Sequence, residues 1–351
     1  MPQSHPISDI LIAWYKKNKR DLPWRNTKDP YKIWLSEIIL QQTQVIQGLN
    51  YYIKFVENFP TVIDLAEAPE DKIMRLWQGL GYYSRARNLH AAAKAIKLNH
   101  KGVFPKTYES IKELKGVGDY TAAAVSSLAF NLPHAVVDGN VYRVLARLFN
   151  VDTAINSTQG KKEFQLLADE ILNKKQAGLH NSAMMEFGAL WCKPQNPKCE
   201  ECPLQSQCLA FEKNTVSSLP VKDKKIKIKN RYLHYFVLNY KDSVYIQKRT
   251  AKDIWQNLYQ FFLIETDKPT EATTIIKDQQ LKKLVKEIEV ISITPVKKHI
   301  LSHQHLHAVF YEVKIKTPVT SKSLLKIKRD KLIDYALPQL INKYLKVVYN
   351  Y

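Results

Sequence analysis

Leu114-Lys-Gly-Val-Gly-Asp-Tyr-Thr-Ala-Ala-Ala-Val125 reads as the end of one helix, a glycine hairpin and the start of the next helix. Gly116 and Gly118 carry no Cβ to obstruct the backbone, so the hairpin amides can point at one phosphate from a helix N-terminus. A lone G-x-G is also compatible with a plain helix-helix turn. A second stretch narrows the choice. All four cysteines of the 351-residue chain, Cys192, Cys199, Cys202 and Cys208, fall within seventeen residues in the spacing C-x6-C-x2-C-x5-C, in a loop punctuated by Pro194, Pro197 and Pro203. Four thiolates in so short a loop can wrap one inorganic centre. A [4Fe-4S] cluster suits the spacing better than a structural zinc, because zinc loops usually present two C-x2-C knuckles and only Cys199 and Cys202 make one here. Beside such a loop, the hairpin reads as a DNA-backbone contact.

Outward from these motifs, apolar residues recur at helical spacing from Ile7 to about Leu209, as in Ile33-Trp34-Ile38, Leu89 to Ile96, Val141-Leu145-Leu148 and Phe164-Leu167-Ile171. An all-α domain is expected over residues 1–215. Ser217-Ser218-Leu219-Pro220 and the charged stretch after it read as a linker over 216–230. Beyond it the period changes to two. Strands are expected at Tyr232 to Tyr240, Ser243 to Lys248, Phe261 to Glu265 and His307 to Ile315. With helices near Gln279 to Glu287 and Lys331 to Val347, they make an α+β domain over 231–351. All ten glycines lie at or before Gly188, so the second domain has no glycine-rich phosphate cradle and nucleotide hydrolysis there is not expected.

The net charge of +20 points to a polyanionic partner, with nucleic acid ahead of a membrane surface. The excess is uneven: +14 from Lys222 onward and +6 before it. No run of eighteen apolar residues and no secretory pattern at Met1 to Asp9 occurs, so a soluble, intracellular protein is expected, in a reducing compartment that suits four free thiolates.

Two carboxylates stand out. Glu37 is the only acid between Pro30 and Val56, and its helical neighbours Ile33, Trp34, Leu40 and Gln41 form a largely apolar face. A carboxyl there is desolvated, its pKa rises, and it can hold a proton near neutral pH. Asp138 follows the apolar run Ala135-Val136-Val137 and precedes a helix beginning near Val141, which makes it a good N-cap that should stay ionised. Capping and a chemical role are compatible at one residue.

The hairpin, Val136-Val-Asp-Gly-Asn-Val-Tyr-Arg-Val-Leu-Ala-Arg147 and the cysteine loop, in that order, resemble the helix-hairpin-helix superfamily of DNA glycosylases, and within it the adenine-specific MutY branch. Pro23 to Arg25, Trp34 to Val45 and Gly79 to Leu89 resemble the same branch. The resemblance implies an all-α helix-hairpin-helix domain with an iron-sulfur loop, followed by an α+β Nudix-like domain. It implies base excision of adenine opposite 8-oxoguanine or guanine in double-stranded DNA, by a monomer in the bacterial cytoplasm at the nucleoid. Glu37 inherits the general-acid role, Asp138 that of stabilising an oxocarbenium-like sugar, Asn140 a positioning role and Tyr120 a place beside the adenine. By resemblance Gln42 and Tyr82 intercalate, Thr43 and Leu80 sit near the lesion strand, Trp24 and Arg25 line the adenine pocket, and Lys193 and Lys198 suit phosphates. In the second domain Leu301-Ser302-His303 occupies the place of the family's Phe-Ser-His loop, so Ser302 and His303 are candidate lesion contacts. Two rivals remain at this point: an endonuclease III-like glycosylase/lyase and a non-catalytic DNA-binding iron-sulfur protein. The first needs a lysine where Tyr120 stands, because a phenol cannot form a Schiff base.

Overall fold

The computed structural model describes residues 5–223 and 228–349, so residues 224–227 of the expected linker lie outside the described residues. The chain divides into two compact units. One comprises residues 1–67 and 88–224. The other comprises 68–87 together with 225–351. Residues 68–87, read above as part of the helical domain, belong with the sheet instead. The cause is a set of polar contacts more than 170 residues apart in sequence, such as Lys248 with Asp71 and Asn257 with Glu70, which periodicity does not register.

The helical unit is built from short amphipathic helices with recognisable stops and starts. Asp29 caps Pro30–Leu40 by accepting from the Tyr31 amide, Thr107 caps Tyr108–Lys112 in a reciprocal box with Ser110, and Ser157 caps Thr158–Ile171. One core joins Ile7, Leu11 and Trp14 of the Pro6–Asn18 helix, Val144, Leu145 and Leu148 of Gly139–Leu148, Phe164 and Ile171 of Thr158–Ile171, and Met184 and Phe187 of Ala177–Leu190. Close approach is needed at one point for the site: a Cβ on Gly188 would lie 2.7 Å from the Asn140 Cβ. In the hairpin, Gly116 has φ +82 and a Cβ there would lie 2.6 Å from the Asn88 Cβ, so conformation and space both require glycine.

In the second unit β1 (Lys229–Tyr240) is central. It runs parallel to β6 (Gln304–Ile315), antiparallel to β4 (Phe262–Thr266) and, at its end, antiparallel to β2 (Ser243–Lys248). β3 (Tyr259–Gln260) and β7 (Leu325–Lys328) pair with β2, and β5 (Ile288–Ile300) pairs with β6. One sheet face packs Phe236, Leu238, Tyr311 and Val313 against Ile275 and Leu281 of two short helices. On the other, Phe310 stacks on Tyr344 of the Gln339–Tyr349 helix at 3.9 Å between ring centroids. β1, β2, β4 and β6 lie where strands are expected, although β1 and β2 are buried on both faces rather than alternating, whereas β5 was not anticipated. Pro295 interrupts its run and its side chains alternate only weakly in burial. Both are tolerable because β5 is an edge strand that keeps one partner. The last helix starts after Pro338, and Arg329–Asp334 is a 3-10 turn where a continuous helix was expected.

Candidate active site

Glu37 sits in the third turn of Pro30–Leu40, which packs against Asp119–Phe130, and this pairing carries Tyr120 over the carboxyl. The Tyr120 hydroxyl donates to Glu37 Oε2 at 2.8 Å. Glu37 is 8% exposed, and burial pushes its pKa up to about 7, with the nearby Asp138 charge adding to the rise and the Tyr120 bond and Arg25 opposing it. Burial, with the charges of Glu37 and Asp138, raises the Tyr120 phenol well above its usual value, so it stays neutral and remains a donor.

Asp138 is the N-cap of Gly139–Leu148 and accepts from the amides of Asn140 at 2.9 Å and Val141 at 2.8 Å, with Asn140 Nδ2 on its other oxygen at 2.8 Å. The cap bonds favour the ionised form and burial opposes it, the balance raising the Asp138 pKa above the ordinary aspartate value. Behind it, Arg143 Nη2 donates to Asn140 Oδ1 at 2.9 Å and to the Gly188 carbonyl at 2.6 Å, while Nε donates to the Cys192 carbonyl at 2.7 Å. One turn on, Arg147 reaches the Lys193 carbonyl at 2.8 Å and Cys192 Sγ at 3.4 Å. A single ten-residue helix thus presents a carboxylate at its start and grips the cysteine loop with two buried arginines.

Glu37, Tyr120, Asp138, Asn140 and Arg143 line one cleft of about 970 Å³ together with Trp24, Arg25, Gln42 and Thr43. Trp24 meets Tyr52 edge to face at 5.1 Å. Gln42 is exposed with φ 56, an uncommon conformation for a side-chain-bearing residue. Sequence reasoning missed Glu186 in the same cleft. It is 1% exposed and accepts from Arg20 and Arg25, with Arg25 Nη1 at 2.7 Å and Arg20 Nη2 at 2.6 Å. Burial alone would raise its pKa, yet the two guanidiniums bring it down to about 2. The sequence pattern assigns no role to Arg143 and Arg147, nor to Ile46, which is 86% exposed at the cleft. A pairing 161 residues apart leaves no local signal, whereas two arginines four apart on a helix do mark one face.

The remaining expected residues lie elsewhere. Gly116 and Gly118 form the exposed hairpin, Gly118 preceding the Asp119–Phe130 helix. Lys198 rests over the Trp191 ring at 4.7 Å, and Lys193 is half-buried. In the sheet unit Leu80 is buried, Tyr82 is 48% exposed with φ 47, and its hydroxyl meets Ser302 Oγ beside the exposed His303, at the tip of the β5–β6 hairpin.

The four cysteines ring a single small cavity with Arg147, Trp191 and Phe211. Among the described residues no three His, Cys, Asp or Glu side chains converge on a single-ion position. Burial raises the Cys199, Cys202 and Cys208 thiols, Cys202 to about 11, and the neighbouring sulfurs add to the rise. Thiols whose charged forms would repel one another around a cavity are a donor set that a cationic iron-sulfur core would neutralise. Held there, a cluster would cross-link the loop, and Arg147 would donate to its Cys192 ligand.

Residues 35–173 match the HhH-GPD superfamily of base excision DNA repair proteins, 192–208 the iron-sulfur binding domain of endonuclease III, and 233–347 the NUDIX domain. The chain is 37% identical over 301 residues to the adenine DNA glycosylase of Buchnera aphidicola subsp. Baizongia pistaciae, covering 85% of this chain and 83% of that protein. This chain belongs to the adenine DNA glycosylases. The human adenine DNA glycosylase is 41% identical over 212 residues, 58% of this chain and 39% of the human protein. Among solved structures, a thermostable thymine-DNA glycosylase superposes with a TM-score of 0.55 at 32% identity, over 59% of this chain and 95% of that one. The chain is therefore a DNA base excision repair enzyme, a hydrolase of N-glycosyl bonds, with a [4Fe-4S] loop. No helix of the described residues is long and apolar enough to cross a membrane.

Proposed function

We propose that this glycosylase acts as a monomer on duplex DNA, releases adenine paired with 8-oxoguanine or guanine, and leaves the strand intact. The observation that carries the reading is Glu37, a buried carboxyl with a pKa near 7 in a cleft that also holds Asp138. Adenine departs poorly as an anion. Glu37 gives its proton to adenine N7, the C1′–N9 bond breaks with its electron pair on the base, and the positive charge left on the sugar faces the Asp138 carboxylate. Water then attacks C1′, and its proton goes to the Glu37 carboxylate, restoring the acid. Tyr120 keeps Glu37 oriented and, having no amine, offers no route to an imine and strand cleavage.

Extracting a base costs a few kcal/mol and leaves a hole in the stack. Gln42 and Tyr82, both held in left-handed backbone, are suited to fill it, with Thr43, Leu80, Ser302 and His303 reading the opposite base and Trp24 and Arg25 lining the pocket for adenine. Gly116, Gly118, Lys193 and Lys198 hold phosphates in this reading. The test is a gel assay of abasic-site formation on A:8-oxoG, A:G, A:C and G:C duplexes, with and without alkali. Release confined to A:8-oxoG and A:G, with breaks only after alkali, is the expected result. Strand cleavage without alkali, or no adenine release, would refute the proposal.

A further inference from the structure

We propose that a polar clasp between residues 68–87 and the sheet holds Leu80 and Tyr82 in their working position, with Glu70, Asp71 and Asn257 as positioning residues. This inference rests on the reading above that Leu80 and Tyr82 meet the duplex. The Glu70–Leu76 helix presents two acids in its first turn. Asn257 Nδ2 donates to Glu70 Oε1 at 2.5 Å, Lys248 Nζ to Asp71 Oδ1 at 2.7 Å and the Tyr259 hydroxyl to Asp71 Oδ2 at 3.1 Å. Further along, the Leu337 amide donates to Gln78 Oε1 at 3.3 Å, and Arg87 Nη1 donates to the Gln256 carbonyl at 2.8 Å. The ties therefore stand on both sides of Leu80 and Tyr82, and Tyr82 itself meets Ser302.

Taken singly, such bonds are weak, since Lys248 and Asp71 are 34% and 53% exposed. Together they act on a loop under constraint. Tyr82 is held at φ 47, and a side-chain-bearing residue keeps so sparsely populated a conformation only where its surroundings impose it. The partner side is equally set: Asn257 lies at φ 67, with its own N–H on the Arg249 carbonyl at 2.7 Å. None of the clasp residues lines the cleft around Glu37. Loosening the clasp therefore disturbs what the wedge and Ser302 read and leaves proton donation to adenine alone.

The experiment compares the full chain with Asn257→Gly, Asp71→Lys, Lys248→Asp and the Asp71→Lys/Lys248→Asp double variant. Asn257→Gly removes the donor to Glu70 and keeps a residue at ease at φ 67, so it is the variant least able to unfold the protein. Single-turnover adenine release is measured on A:8-oxoG and A:G duplexes from pH 6 to 9. The preference for A:8-oxoG is expected to fall about threefold in Asn257→Gly and about tenfold in either charge reversal, with the pH limb unmoved. The double swap should return to within about twofold, and Tyr82→Ala should add no loss on top of Asp71→Lys. Single variants that keep the full preference, a pH limb that moves with it, or a double swap that melts like the wild type without regaining preference would each overturn the clasp. Wild-type protein releasing no adenine from either duplex is a separate outcome, which sinks the functional reading on which the clasp rests.

Discussion

Replacing Glu37 by glutamine should make this protein inactive and more stable at once. Burial holds the Glu37 carboxyl at about 7 against an ordinary 4.5. Between those values the folded protein keeps a proton that the unfolded chain has lost, so the stability associated with Glu37 is complete below about pH 4.5 and drains away as pH rises through 7. At about 1.4 kcal/mol per pH unit, the buried carboxylate at pH 8 costs about 3 kcal/mol relative to a neutral isostere. Glutamine has the same shape, and its carbonyl can accept the Tyr120 hydrogen bond that Glu37 Oε2 accepts at 2.8 Å. Urea denaturation followed by circular dichroism should therefore show no difference between Glu37→Gln and wild type near pH 4.5. A gain of about 3 kcal/mol should develop by pH 8. Single-turnover adenine release should fall about 10²- to 10⁴-fold while duplex affinity stays within about tenfold, because no phosphate contact is touched. A variant no more stable than wild type at pH 8, or one that releases adenine at a near-normal rate, would refute the reasoning.

Tyr120→Phe removes a bond that favours the Glu37 carboxylate, so the alkaline limb of adenine release should move up by about one pH unit; a limb that stays or moves down contradicts the geometry. Cys199→Ser should loosen the loop from Cys192 to Cys208 and weaken DNA binding more than it alters chemistry in the protein that stays folded. Elemental analysis decides the premise, since zinc without iron and sulfide in the wild type would refute it. Ending the chain after Pro220 should leave a helical fragment that still excises adenine but prefers 8-oxoguanine much less. Its salt slope should be shallower, because the cut removes a net +14 and strips residues 68–87 of their sheet partners. A fragment with full preference would move lesion reading onto Gln42, Thr43, Leu80 and Tyr82 alone.

What the sequence conveyed divides along physical lines. Glu37 was legible because helical spacing alone places it on an apolar face, and the desolvation expected there is found. Asp138 was legible as a cap, yet its raised pKa was not, because enclosure depends on chain segments remote in sequence. The same limit hid Glu186 between Arg20 and Arg25, and it hid the membership of residues 68–87 in the sheet unit. β5 escaped notice for a different reason. An edge strand with Pro295 in it need not show clean alternation, and its pairing to β6 supplies what its own pattern lacks.

The assignment of residues 68–87 to the sheet unit bears on how the chain is made. Glu70 meets an asparagine 187 positions later and Gln78 meets an amide 259 positions later. A ribosome adding about 5–20 residues per second delivers Asn257 roughly ten to forty seconds after Glu70. During that interval the helices on either side can already associate, while the stretch bearing Leu80 and Tyr82 still lacks the Lys248, Asn257 and Leu337 partners that tie it in the finished chain. The growing chain therefore carries Glu70 and Gln78 without these partners until its last third is made. A pause or truncation in the last third of the message would be felt there, far upstream of the missing residues.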